Sequence, residues 1–289
     1  MRTESEMFDI IIRTAEPDDR VLAAYLKGSR ANPNVPKDIC QDFDIMYVVK
    51  ETGSFRMDLS WMGPFGKVIL KQEQDDAFGY GERFKIQDHY DETYSWLLLF
   101  EDGNRIDIGV ETLGAMQKGI NRNKLFLPLI DKTGCLPQLP PPTDEEFYVR
   151  KPEKSRFLGC CNEFFWSLCD TAKGIYRDEL PFAMTTYHML AHNMLEVMLG
   201  WYIGSRTGFS VSCGKLNKYF KNYLPEEFYL LYTQTFTDSS YDHFWQAIKN
   251  SCRLFHESAI LTAEALGFTY PQSYEEGFMK YMEFLRSQR

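Results

Sequence analysis

Gly28-Ser29-Arg30 is followed, a dozen residues on, by Asp42-Phe43-Asp44, which opens the apolar run Ile45-Met46-Tyr47-Val48-Val49. Alternate residues of a strand project to one face, so Asp42 and Asp44 point the same way from a strand predicted over Phe43–Val49. Two carboxylates placed like this repel each other unless a cation lies between them. All-oxygen ligation suits Mg²⁺, which keeps some of its waters and takes other ligands from substrate phosphates. A third acid, Asp107, interrupts the otherwise apolar stretch Arg105-Ile106-Asp107-Ile108-Gly109. Burying a lone carboxylate is costly, so Asp107 needs a cation or a donor beside it. If its strand neighbours the 43–49 strand, the three acids converge on one metal site.

Gly28-Ser29-Arg30 ends a further strand, predicted over Val21–Lys27. Glycine lets a phosphate approach the backbone closely, the serine hydroxyl and exposed N–H groups donate to it, and Arg30 offsets its charge. Together the pieces describe a nucleoside triphosphate site, with Gly28, Ser29 and Arg30 on the phosphates and Asp42, Asp44 and Asp107 on the metal. Gly-Ser-Arg alone is a common loop tripeptide, and Asp-x-Asp alone is usually a solvated edge. The specificity lies in the ordered set.

Outward from this segment, Thr3 and Glu6 form a capping box for a helix over residues 3–15, with Met7, Ile10, Ile11 and Thr14 on one face. Short strands are predicted over Val68–Lys71, Trp96–Phe100 and Arg105–Val110. The turn Glu101-Asp102-Gly103-Asn104 makes a hairpin of the last two. Proline crowds 137–142 and returns at Pro152, which stops both helix and central strand. Beyond it, helical periods run through 155–173, 180–203 and 239–265, with Asp238-Ser239-Ser240 supplying N-cap residues for the last. The expected fold class is α+β. A catalytic domain over 1–140, with a mixed β-sheet flanked by helices, is joined by a Pro-rich linker over 141–153 to an α-helical bundle over 154–289.

A length of 289 residues fits two domains, and 44% hydrophobic with 25% charged residues is ordinary for a folded protein, which excludes disorder and fibre. Forty-one acidic against 32 basic residues give a net charge of −9, which opposes a nucleic-acid partner and favours small cationic ones. No apolar stretch is long enough to span a membrane, and the N-terminus lacks a signal peptide's apolar run, so a cytoplasmic protein is expected, as a monomer or weak homodimer. The seven cysteines lack metal-binding spacing and read as reduced, mostly buried thiols. His192 reads as a packed or capping histidine. Phe164, Phe165, Trp166, Tyr187 and Trp201 read as core, with stacking on a sugar or base as the alternative.

Gly28-Ser29-Arg30-Ala31-Asn32 through Gln41-Asp42-Phe43-Asp44-Ile45 resembles the nucleotidyltransferase signature shared with DNA polymerase β-like enzymes. Over nearly the whole chain the sequence resembles the bacterial aminoglycoside 6-adenylyltransferases. Further matching stretches are Leu98 to Asn104, Cys160 to Phe164, Arg177-Asp178-Glu179, and Gly214-Lys215 with Lys218. The resemblance implies Mg²⁺-assisted transfer of AMP from ATP to a hydroxyl of a streptomycin-like drug, with release of pyrophosphate and a pair of metal ions at the centre. It makes Asp42 and Asp44 metal ligands, and Asp107 a third ligand or the general base. Ser29 and Arg30 would contact the β- and γ-phosphates. Lys215 and Lys218 would add charge around the triphosphate, or simply form a solvated face. Asp178 and Glu179 would bind the cationic acceptor, or merely charge the start of the next helix. Alternatives are a different small hydroxylated acceptor and a non-catalytic, nucleotide-binding regulatory module. An RNA-tailing enzyme is opposed by the acidic balance.

Overall fold

The first helix, α1 (Glu4–Ala15), starts at the expected capping box: the Thr3 hydroxyl accepts from the Glu6 N–H, and the Glu6 carboxylate accepts from the Thr3 N–H. Its buried stripe is Met7, Ile11 and Ala15. The protein is represented by a computed structural model that describes residues 1–73, 89–120 and 124–288. These residues form two compact units, Met1–Glu146 and Phe147–Arg289.

The first unit is built on a six-stranded sheet of β1 (Val21–Lys27), β2 (Phe43–Val49), β3 (Val68–Glu73), β4 (Thr93–Phe100), β5 (Arg105–Thr112) and β6 (Phe126–Asp131). The strand order is β3-β4-β5-β2-β1-β6. β2 and β5 run parallel, whereas the other described pairings are antiparallel. The sheet is therefore mixed, as expected of an α+β fold. One face carries α1 together with Phe55, Trp61 and Phe65 from the 53–65 segment. The other carries Met116 of α2 (Leu113–Gly119), Ile120 and Phe126 against Ala23, Met46 and Val48. At the β4–β5 turn the Gly103 N–H donates to Phe100 O at 2.9 Å, and Gly103 adopts φ 83°, open to glycine at little cost.

β6 has no counterpart among the strands read from the sequence, because Pro128 argues against a strand. The structure accommodates it at the sheet edge, where Pro128 pairs with Tyr25 beside a register shift, both settings in which strands tolerate proline.

The second unit is helical. Its main members are α3 (Lys154–Tyr176), α4 (Leu180–Thr186), α5 (His192–Thr207), α6 (Glu226–Thr233), α7 (Tyr241–Leu266) and α8 (Gln272–Ser287). Phe164 of α3 stacks on Phe255 of α7, with ring centroids 3.9 Å apart and planes within 3°. Phe164, Phe165 and Tyr187 are core, but Trp166 is 67% exposed. The helix expected over 180–203 is interrupted by a π-turn at Tyr187–Ala191, where the Tyr187 hydroxyl donates to Thr235 O at 2.6 Å. It then runs on to Thr207 and stops at left-handed Gly208. At the start of α7, Ser240 is the N-cap residue without a side-chain cap bond, and Asp238 accepts from its N–H. All seven cysteines are free, four of them buried. Among the described residues, no helix is long and apolar enough to cross a membrane.

Candidate functional site

Strand register decides where the three acids lie. In the parallel β2–β5 pair, Asp44 is opposite Asp107; in the antiparallel β1–β2 pair, Lys27 is opposite Asp44. Opposed residues share a face, so Lys27, Asp44 and Asp107 form a row across three strands at one end of the sheet. Asp42 precedes the first β2–β5 pair, Phe43 with Ile106, and so lies just beyond the ladder. It is close enough to Asp44 for the two carboxylates to repel.

The Asp44 carboxyl is pushed up to about 6, first by burial, then by the negative charges of Asp107 and Asp42; Lys27 and Arg105 offset part of this. Arg105 lies against both outer acids, its Nε 3.3 Å from Asp107 Oδ1 and 3.6 Å from Asp42 Oδ2. The guanidinium thus supplies counter-charge to the acidic row. Neither Lys27 nor Arg105 is among the site residues expected from the sequence. The signal available for each was a cation beside a motif residue: one before Gly28 and two before Asp107.

Gly28 opens a 3₁₀ turn, Gly28–Ala31, directly after β1. Its φ is +73°, and the direction a Cβ would take is filled by the Asp44 carboxylate. The absence of a side chain therefore lets Asp44 pack on the turn. Ser29 is half-buried on the same turn. The loop that follows is tied down by Asp144, which accepts from Asn32 Nδ2 at 3.2 Å and Asn34 Nδ2 at 2.8 Å.

Arg30 is placed otherwise than a phosphate contact requires. Its side chain is 7% exposed, and each guanidinium nitrogen is engaged: Nε with Asp42 O, Nη2 with Gln41 O, and Nη1 with Glu4 Oε1. The group also lies 3.8 Å above the Phe43 ring. The physical reason is local: Gln41 and Asp42 lie just before the first β2–β5 pair, and their carbonyls accept from the Arg30 guanidinium.

A divalent cation suits these residues in kind, as oxygen donors only, and in placement, as acids on two adjacent strands at one sheet end. In the present side-chain arrangement they are spread around Arg105, and among the described residues no three such groups are gathered to hold an ion. The side-chain amide of Gln41 is buried beside Asp42 with neither its oxygen nor its nitrogen hydrogen-bonded, a polar group in want of a partner.

The remaining candidates belong to the second unit. Lys215 and Lys218 flank Leu216 and Asn217, both left-handed at φ 55° and 60°, so they sit on a strained turn rather than on the face of a helix. The turn is held by Asn217 Nδ2 donating to Glu196 Oε2 at 3.0 Å. Burial works against ionised Glu196, but hydrogen bonds from His192 and Tyr232 hold its carboxyl below the usual range. His192 is buried, with Nε2 2.8 Å from Thr235 Oγ1 and Nδ1 3.5 Å from Glu196. It packs, as the sequence suggested. Asp178 and Glu179 lie exposed in the turn between α3 and α4; Asp178 is left-handed at φ 59° and accepts from the Tyr241 hydroxyl at 2.8 Å. Glu179 takes the N-cap position of α4 without a side-chain cap bond.

This arrangement meets close relatives across its whole length. The family model described as streptomycin adenylyltransferase matches residues 1–285. An aminoglycoside 6-adenylyltransferase of Campylobacter jejuni is 34% identical over 282 residues, covering 98% of this chain and 95% of that protein. One from Bacillus subtilis (strain 168) is 32% identical over 284 residues, covering 98% of each. A solved Bacillus subtilis aminoglycoside 6-adenyltransferase aligns with a TM-score of 0.49 and 28% identity over 99% of each chain. By the family match and by identity to the first two of these relatives, the chain belongs to the streptomycin adenylyltransferase family of nucleotidyltransferases.

Proposed function

We propose that this protein transfers AMP from ATP to a hydroxyl of an aminoglycoside of the streptomycin kind, releasing pyrophosphate. The observation that carries the reading is the pairing of Asp44 with Asp107 across adjacent strands, directly against the turn that begins at Gly28. Asp42, Asp44 and Asp107 would hold Mg²⁺. When bound, the ion supplies Lewis-acid stabilisation of charge on the transferring phosphoryl group.

The protein's own part is binding, orientation and proton management. The backbone N–H groups of the Gly28–Ala31 turn and the Ser29 hydroxyl hold phosphate oxygens. The acceptor oxygen forms its bond to the α-phosphorus as the bond to pyrophosphate breaks, in line, and its proton passes to a carboxylate. Asp107 takes that proton in this reading. It stands at the outer end of the row, on the far side of Asp44 from Lys27. Lys215 and Lys218 add positive charge for the nucleotide, and Asp178 and Glu179 add negative charge for the acceptor.

The test is incubation with ATP, Mg²⁺ and a panel of aminoglycosides, following pyrophosphate and the AMP adduct by mass spectrometry. Turnover that requires both drug and metal is expected. Absence of pyrophosphate above background with every aminoglycoside would remove the acceptor assignment.

A further inference from the structure

We propose that Arg30 is a positioning residue that acts through Asp42, fixing the metal-binding acid to the phosphate-binding turn, and that it makes no contact with phosphate itself. The inference rests on the reading of Asp42 as a metal ligand. Asp42 lies just before the first β2–β5 pair, Phe43 with Ile106, at the very end of the ladder. Arg30 fastens that end to the turn, since one guanidinium donates to two successive carbonyls, Gln41 O and Asp42 O. The fork suits this use, because planar donors can reach neighbouring oxygens while the flat face stacks on Phe43, 3.8 Å away.

The third nitrogen is anchored at a distance from the chemistry. Glu4, at the start of α1, pairs with Arg30 Nη1 at 3.2 Å and with Lys37 Nζ at 2.9 Å. One carboxylate thereby ties both the turn and the loop leading to Asp42 back to α1. Phe43 is itself braced by Phe8 of α1, with ring centroids 5.5 Å apart. Arg30 belongs to the same turn as Gly28 and Ser29, so movement of that turn and movement of Asp42 are coupled through a buried, fully engaged cation.

The experiment compares Arg30→Lys and Glu4→Gln with the unaltered protein, using Mn²⁺ alone as the probe, bound to the full chain and followed by electron paramagnetic resonance, alongside kcat and KM for ATP. Lysine keeps the charge but loses the fork. Glu4→Gln weakens the anchor without altering any residue of the turn. Loss of a residue that orients a metal ligand costs about 10- to 100-fold in metal affinity or activity. The expected result for Arg30→Lys is Mn²⁺ affinity and kcat each lower by about that factor, with KM for ATP changed less than about threefold. Glu4→Gln should shift both quantities in the same direction by a smaller factor. A rise of about tenfold or more in KM for ATP, with Mn²⁺ affinity unchanged and Glu4→Gln silent, would overturn the proposal in favour of direct phosphate contact. Unchanged Mn²⁺ affinity in Arg30→Lys overturns it whatever the kinetics. Because Mn²⁺ binding is read without any acceptor, failure of the aminoglycoside assignment leaves this result separately visible; Asp42→Asn, which should lose Mn²⁺ binding, checks the premise.

Discussion

Asp44 carries opposing demands at a single carboxyl group. Its raised value of about 6 means that the folded chain retains a proton which the unfolded chain, with an ordinary aspartate, has already released. The favourable contribution is complete below about pH 4 and is lost as pH rises through about 6. In metal-free protein, Asp44→Asn is therefore expected to melt at a higher temperature than the parent at pH 7.5. The gap should narrow toward pH 5, and turnover should be abolished. A calorimetric pH series of both proteins checks this, and an asparagine variant that melts lower at pH 7.5 would contradict it. Gly28→Ala makes a different claim. An added methyl would have to displace the Asp44 carboxylate and hold φ at +73°, a conformation that costs of order 1–3 kcal/mol for a side-chain-bearing residue. A folded variant with a lowered melting temperature is expected, with turnover down by roughly 10²-fold, the effect of about 1 Å of misplacement at a reacting centre. The acids of this site are legible in the sequence because a carboxylate inside an apolar strand has no cheap structural explanation. Lys27 is not, since its place in the row depends on register. The inward turn of Arg30 is not either, because the same guanidinium serves a phosphate or two backbone carbonyls equally well.

Among the elements, the strands that build the site are readable from alternation and from the Gly103 turn, and α1 from its capping box. What stays hidden is overridden by local chemistry. Pro128 masks β6, whose edge position makes the proline harmless. α8 buries only a narrow stripe, Phe278, Met282 and Leu285, and has Gly277 within it, so its helical signal is thin. The π-turn at Tyr187–Ala191 follows from contacts of the Tyr187 hydroxyl with Thr235 and Ser251, which are remote in sequence. At this scale α3 and α7 depend on each other. Phe255→Ala removes the ring stacked on Phe164 and leaves a void in a core of fully buried side chains. A loss of about 3–5 kcal/mol is expected, measured by denaturant unfolding of the full chain, as is usual for phenylalanine truncation in a close-packed interior. A loss below about 1 kcal/mol would mean that the helices repack around the gap.

For the molecule as a whole, the excess of acid over base sets how charged substrates arrive. A net charge of −9 attracts a polycationic acceptor and repels a nucleotide, and salt screens both effects beyond about 10 Å at 0.1 M. Steady-state kinetics at increasing ionic strength should show KM for the aminoglycoside rising several-fold between about 50 and about 300 mM salt, a range over which the screening length shrinks by roughly half. KM for ATP should not rise with it. Equal sensitivity of the two would remove electrostatic capture of the acceptor from the account. The two compact units, each with its own core, also make a single unfolding free energy an incomplete description of the chain. The order of the strands, finally, bears on biosynthesis. β2 pairs not with its successor in sequence but with β5, after β3 and β4 have intervened. While the ribosome is still delivering those intervening strands, Asp42 and Asp44 have emerged but their companion has not. A nascent chain in that interval offers a divalent ion no template, and a product truncated before Asp107 never acquires one. Non-local pairing of this kind is slow to form, so capacity for catalysis is expected to emerge among the late events of maturation.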